Sequence, residues 1–227
     1  MKRVFSLNCK KTRLLNLSLI LPNILKQADV LHLNFIELND IPNKIFNEIK
    51  DEKIKINCFY KGGSELRFFN YNDYVDAYYF TIDDDILYPI NYSDVLIKNM
   101  EQHKNNVICC VHASNVNLKQ EKDFYKKNKK VYHFKEKLDE NKNIMIPGVG
   151  TSCFNTSTTR INVWEFNTPN MSDVYVGCFS FNQNIPIISI SRDDYWLKPI
   201  KTNDSTIFGN NPYMEIDELI NKTFKND

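Results

Sequence analysis

Three consecutive carboxylates, Asp83-Asp84-Asp85, close an apolar, aromatic run (Ala77-Tyr78-Tyr79-Phe80) and are followed at once by Ile86-Leu87-Tyr88-Pro89. Adjacent like charges raise one another's pKa unless a cation neutralises them. A hard divalent ion such as Mg²⁺ or Mn²⁺ does so, taking oxygen ligands from one or two carboxylates and completing its shell with phosphate oxygens. Side chains two apart on extended backbone share a face. Asp83 and Asp85 are therefore expected to point together and Asp84 to point away. The expectation is Asp85 on the metal, Asp83 on the metal or on a ribose, and Asp84 bonded to backbone or to a basic side chain. A solvated acidic turn is the plainer reading. The apolar residues on both sides weigh against it.

The elements that must position this cluster alternate in type. Residues 4–7, 30–36, 54–59, 76–82 and 107–111 read as apolar strands, and 186–191 as a late one. Leu14, Leu17, Leu21 and Leu25 recur at helical spacing behind Thr12, which can cap that helix. Further helices are expected at 42–49, 93–102, 173–182 and 215–224. Strands alternating with helices imply an α/β fold with a mainly parallel central sheet flanked by helices. In such sheets ligands bind at the carboxyl ends of the strands, where the aspartates stand. From 113 to 143 the chain turns polar and lysine-rich (Lys119, Lys122, Lys126, Lys127, Lys129, Lys130) with Phe124, Tyr125, Tyr132 and Phe134 interspersed. This segment is a lid, an inserted pair of short elements, or a solvated surface stretch. Pro147-Gly148-Val149-Gly150 then reads as a turn.

Tyr79-Phe80-Thr81-Ile82-Asp83-Asp84-Asp85-Ile86-Leu87-Tyr88-Pro89 resembles the DxD segment of the GT-A glycosyltransferases. Among them it looks most like the small, inverting, family-2-like enzymes of bacterial surface polysaccharide synthesis. The resemblance extends more weakly over residues 3–199. It implies the Rossmann-like GT-A fold for the whole chain, 1–227. Residues 1–112 would bind the nucleotide sugar, and residues 113–227 would form the acceptor side. Lys11-Thr12-Arg13 and Gln27 fall where that family has its first nucleotide-contacting loop and helix end. Asn34 resembles a base-contacting position. Gly62-Gly63-Ser64 with Arg67 resembles the glycine-containing segment beside the donor. Asn170-Met171-Ser172-Asp173-Val174-Tyr175 resembles the segment that supplies the catalytic base. Family members often have Glu-Asp there, and this chain keeps only the second acid. Arg192 and Trp196 resemble the phosphate-side and acceptor-side segment near the domain's end.

What the resemblance implies is a metal-dependent transfer from a nucleoside-diphosphate sugar to a glycan or lipid-linked acceptor. Mn²⁺ or Mg²⁺ would sit on Asp83 and Asp85, with Arg13, Arg67 or Arg192 as a bidentate phosphate clamp. Asp173 would take the acceptor hydroxyl's proton, and as a helix N-cap it has a purely structural alternative. His112, at a strand end on the same edge, is a third metal ligand, an acceptor contact or a structural histidine. Trp196 stacks on a sugar or packs in the core.

The 227 residues carry a net charge of +1, with 42% hydrophobic and 25% charged residues. No global field points to nucleic acid. The six cysteines form no CxxC pair, which argues for reduced core residues and against zinc. No signal peptide opens the chain, and residues 14–25 are too short and too interrupted to cross a membrane. A cytoplasmic protein is expected, with peripheral contact to the inner membrane face through the basic insert and with room for a homodimer. Three rival readings stand beside the transferase. A nucleotidyltransferase needs a glycine-rich first loop, and Ser6-Leu7-Asn8-Cys9-Lys10-Lys11 has none. A two-metal hydrolase needs more dispersed carboxylates and histidines. Intact Asp83 and Asp85 argue against a non-catalytic nucleotide-sugar-binding subunit whose transferase site has decayed.

Overall fold

The computed structural model describes residues 1–38, 50–120, 123–201 and 212–225. Its centre is an eight-stranded sheet. The first strand, β1 (Lys2–Lys10), lies between β2 (Val30–Ile36) and β4 (Ala77–Asp83), parallel to both, and β3 (Ile54–Phe59) extends β2 in parallel. Beyond β4 come β11 (Thr151–Asn155), β6 (Ile108–Cys110), β12 (Ile187–Ser189) and β9 (Lys142–Asn143). Here β11 runs antiparallel to both neighbours, while β6 and β12 are parallel. A short β5 (Ile86–Leu87) pairs with β13 (Lys198–Pro199). A separate three-stranded sheet joins β7 (Ala113–Val116), β8 (Lys129–Tyr132) and β10 (Ile146–Pro147). The polar insert is thus built on a pair of short strands.

Side-chain alternation explains the layers. Phe5, Leu7, Cys9, Phe80 and Ile82 face one core, shared with Leu17, Ile20, Leu21 and Ile24 of helix α1 (Leu17–Leu25) and Leu96 and Met100 of α2 (Tyr92–Gln102). Val4, Tyr79 and Phe154 face a second core with Phe68 and Tyr71. Both faces of β1 and β4 are covered, as central parallel strands require. Phe5 stacks on Phe80 with centroids 4.5 Å apart. Each fully buried ring of this kind contributes about 1.5–3 kcal/mol. A third cluster packs Phe124 and Tyr125 of the insert against Met171 and Val174 near the start of α3 (Ser172–Asn182) and Ile216 and Ile220 of α4 (Tyr213–Phe224).

Several expectations need adjustment. Thr12 does not open an α-helix; it lies in a 3-10 turn (Lys11–Asn16) that precedes α1. The strand β11 was not foreseen. The expected helix at 42–49, Lys122 and most of the turn region after 201 lie outside the described residues. Cys9, Cys109, Cys110, Cys153 and Cys178 are buried free thiols, and Cys58 is exposed. Among the described residues no helix is long and apolar enough to cross a membrane.

Candidate active site

The carboxyl ends of β1, β2 and β4 open onto a cleft with two lobes. The first, about 290 Å³, is lined by Asn8, Lys10, Arg13, Glu37, Gly63 and Asp84, among others. The second, about 390 Å³, is walled by His112, Tyr125, Lys129, His133, Gly150 and Asp173, among others. Ser64, Arg67, Asp83, Asp85 and Asn170 line both, so these residues form the boundary.

Asp83 is the last residue of β4, and Asp84 and Asp85 make the turn into β5. The turn keeps Asp83 and Asp85 on the cleft side, each with about a third of its side chain exposed (34% and 35%). Asp84 is turned into the protein. It accepts the Lys10 backbone N–H at 2.8 Å and the Arg13 guanidinium at 2.8 Å, while Asn16 Nδ2 donates to its backbone oxygen at 2.7 Å. Arg13 reaches Asp85 with the same nitrogen, at 2.8 Å, and Arg67 Nη2 pairs with Asp83 Oδ1 at 2.7 Å. Both arginines are buried. Burial and the Asp83 charge push the Asp85 carboxyl up to about 6, against the pull of Arg13. Burial also raises Asp84, opposed by the Lys10 N–H and Arg13.

Gly150 of the loop before β11 lies directly on this cluster. A Cβ there would stand 1.7 Å from Asp83 Oδ2. The Tyr88 hydroxyl joins the two backbones, accepting from Asp83 N at 2.8 Å and donating to the Gly150 carbonyl at 2.6 Å. The antiparallel β11 thus brings a side-chain-free backbone against the aspartate.

Asp83 and Asp85 are suited to a divalent cation that takes one or two carboxylates and finds its remaining ligands on a phosphate. Burial is the main cause of the raised Asp85 carboxyl, and the Asp83 charge adds to it against the pull of the two arginines. His112 does not complete a three-residue set: among the described residues no three His, Cys, Asp or Glu side chains group so as to hold an ion. Burial, with His133, Lys129 and Arg192 nearby, drives the His112 pKa down to about 3, so its imidazole is neutral. Its Nδ1 is buried with no hydrogen-bond partner among the described residues, and its ring meets His133 edge-on at 5.1 Å.

Asp173 stands in the first turn of α3, and its Oδ1 accepts the Val149 N–H at 3.0 Å. The carboxyl is enclosed beside the second lobe, where burial raises its pKa while the Val149 N–H and Arg67 oppose the rise. The remaining expected residues divide. Gly63 lines the first lobe, where its carbonyl accepts Asn8 Nδ2 at 3.0 Å. Asn34 is fully buried and lines neither lobe. Arg192 also lies outside the cleft; its guanidinium donates to Ser189 Oγ, the Ile190 carbonyl and the His133 carbonyl at 3.1, 2.9 and 2.9 Å. Gln27 bridges α1 to the Pro89 carbonyl and the Ser93 N–H. Trp196 packs against Tyr92 in the first core.

Asn34 belongs to an amide ladder that runs across three strands. Asn8, Asn34 and Asn57 are in register, with Asn57 Nδ2 donating to Asn34 Oδ1 at 2.9 Å and Asn34 Nδ2 donating to Asn8 Oδ1 at 3.2 Å. The signal is visible in the letters Leu7-Asn8-Cys9, Leu33-Asn34-Phe35 and Ile56-Asn57-Cys58, an asparagine between apolar residues in each strand. The ladder fixes the Gly63 loop beneath the cleft. Tyr125 and Lys129 are wall residues the sequence reading left in the insert, and Gly150 is one it left in a turn.

No family model matches the chain, and no curated protein matches it. Solved structures do. S. aureus TarS 1–349 in complex with UDP-GlcNAc is similar over 100% of this chain and 67% of its own, with a TM-score of 0.62 at 11% identity. A second structure of S. aureus TarS 1–349 covers 86% of this chain and 59% of that one, with a TM-score of 0.52 at 12% identity. At such identity the likeness is one of fold, and the mainly parallel sheet, its order and its flanking helices have the α/β GT-A fold.

Proposed function

We propose that this chain is a glycosyltransferase that moves a sugar from a nucleoside-diphosphate donor to a glycan or lipid-linked acceptor in bacterial surface polysaccharide synthesis, with inversion. The observation that carries the reading is the position of Asp83 and Asp85. They stand on the boundary of two lobes of one cleft, with Asp173 on the second lobe. The diphosphate would lie at that boundary, the nucleoside in the first lobe and the acceptor in the second. Residues 1–112 then bind the donor and the later residues shape the acceptor side. UDP-GlcNAc is the donor to try first, since a TarS structure of the same fold holds it.

Asp83 and Asp85 would hold Mn²⁺ or Mg²⁺, which supplies charge neutralisation to the departing diphosphate. Arg13 and Arg67 add positive charge to the same place. The acceptor oxygen forms a bond to the anomeric carbon as the bond from that carbon to the phosphate oxygen breaks. The electron pair leaves with the diphosphate, and the acceptor's proton goes to Asp173. Burial holds the Asp173 pKa above that of a free aspartate, closer to the working pH, which suits a general base. His112, His133 and Phe134, packed ring against ring, wall the lobe where an acceptor sugar would lie.

The test is calorimetric titration of nucleoside-diphosphate sugars, UDP-GlcNAc first, with and without Mn²⁺. Metal-dependent binding of one donor is expected, lost in Asp85→Ala and kept in Asp173→Asn. A panel in which no nucleotide binds ends the reading. Peripheral contact with anionic membranes through the insert belongs to the same proposal, and failure of the protein to float with such liposomes would remove it.

A further inference from the structure

Asn170 lines both lobes of the cleft, three residues ahead of Asp173. Its backbone lies in the left-handed region, with φ at 62°. Asparagine enters that region more readily than most residues. At this turn the chain meets the loop Gly63-Ser64-Glu65. The Ser64 N–H donates to Asn170 Oδ1 at 3.1 Å. Glu65 grips both sides: Oε1 accepts the Gly63 N–H at 2.7 Å, and Oε2 accepts the Asn170 N–H at 3.2 Å. Ser172 Oγ donates to Ser64 Oγ, which ties the start of α3 to the same loop. A Cβ on Gly63 would stand 2.4 Å from Asn170 Oδ1 and 2.8 Å from Glu65 Oε2, so the close approach depends on that glycine.

These bonds fix which way the amide faces. A backbone N–H can only donate, so the side-chain atom it meets must be the amide oxygen. The NH₂ group therefore points away from the Ser64 loop. Among the described residues it has no hydrogen-bond partner, and it is open to solvent. Asn170 thus presents two free N–H donors where the lobes meet. Accepting the transferase reading of the cleft, we propose that this NH₂ group binds an oxygen of the transferred sugar, a hydroxyl or an acyl carbonyl. The diphosphate has charged groups to hold it: Arg13, Arg67 and a cation on Asp83 and Asp85. A neutral amide suits an uncharged oxygen. The sugar must lie between the diphosphate and the acceptor oxygen, hence between Asp83 and Asp173, and Asn170 borders both lobes there. Because Ser64 and Glu65 already hold Asn170, the donor group is in place before the sugar arrives.

Calorimetry with Mn²⁺ on the wild-type protein, Asn170→Gly and Asn170→Asp, each with UDP-GlcNAc and with UDP alone, tests the contact. Glycine and aspartate both accept the left-handed backbone, and aspartate keeps an oxygen for the Ser64 N–H. The ratio of the two affinities within each protein cancels what the substitution does to the metal or to the uridine side. Loss of the contact is expected to lower the preference for UDP-GlcNAc over UDP about tenfold in both variants. If Asn170→Gly fails to fold, Asn170→Asp still carries the test. An unchanged ratio in a folded variant overturns the proposal, because the amide then touches the diphosphate or nothing. A wild-type protein that binds neither ligand ends the transferase reading for uridine donors, and this contact falls with it. An unchanged ratio in a protein that binds both removes the contact alone.

Discussion

Gly150→Ala adds one methyl group beside the aspartates, and the structure fixes the sign of its effect. The new Cβ would stand 1.7 Å from Asp83 Oδ2 and 2.2 Å from its Cγ, where ordinary contact begins at 3.4 Å. Something must move by more than 1 Å. The backbones cannot slide apart cheaply, because both are bonded to the Tyr88 hydroxyl and β11 pairs with β4 from Thr151 opposite Ile82 onward. The Asp83 side chain must therefore swing, which breaks its 2.7 Å pair with the buried Arg67. With Asp83 a third exposed, that pair is worth less than a fully buried one, so the loss is about 1–3 kcal/mol. Where space is free and the backbone suits alanine, the same change stabilises by about 0.4–1 kcal/mol. Urea unfolding followed by circular dichroism separates the two signs. Under the proposed function the displaced carboxylate should also weaken Mn²⁺-dependent donor binding about 100-fold by calorimetry. A Gly150→Ala protein as stable as wild type, with undiminished donor affinity, would refute the packing argument and the role of Asp83 together.

Three further outcomes follow from the same contacts. His112 has a folded pKa of about 3 against an ordinary 6.5, so its contribution is complete above pH 6.5 and is lost as pH falls toward 3, because the unfolded chain takes up a proton the folded one refuses. The ceiling is about 5 kcal/mol, and urea midpoints measured against pH should show a shallower acid decline in His112→Gln than in wild type. Arg13→Ala strands the buried Asp84 and should cost about 3 kcal/mol in a thermal melt, with Arg13→Lys recovering only part of it. Arg192→Met should cost about 1–3 kcal/mol through its three lost hydrogen bonds while donor affinity stays unchanged; weaker donor binding at undiminished stability would show that Arg192 reaches the ligand.

The strands β2 and β3 and the helices α2 and α3 were legible in the letters because their apolar runs are short, bounded and of the right period. The first strand read as 4–7 but runs from Lys2 to Lys10. Its polar Lys2, Arg3, Asn8 and Lys10 disguise its ends, while Ser6 and Asn8 face the amide ladder, where Asn34 Nδ2 reaches each of them. The strand β11, Thr-Ser-Cys-Phe-Asn, is buried at every position and so shows no alternation. The insert is the pair of short elements that its composition allowed, β7 and β8, and some of its lysines, with Lys225 just past the last helix, cap aromatic faces: Lys129 covers Tyr125, Lys126 covers Tyr213 and Lys225 covers Phe124. Tyr125 could not be read as a wall residue of the cleft because only the packing of α3, α4 and the insert brings it there.

Two exposed carboxylates would be enough to hold an ion, so the third needs its own explanation. Asp84 supplies one by facing the other way. Through the Lys10 N–H, Arg13 and Asn16 it ties the 3-10 turn after β1 to the end of β4. Arg13, held by Asp84, then spans to Asp85 with the same nitrogen. The middle aspartate therefore sets the place of the arginine that partly neutralises its neighbour, and the first-lobe wall depends on it. Asp84→Asn keeps the shape but weakens the grip on Arg13, so it should disturb the first lobe although its carboxylate faces inward. Among Asp83, Asp84, Asp85, Arg13 and Arg67, three negative charges meet two positive ones, and the remaining negative charge lies with the two aspartates that face the cleft.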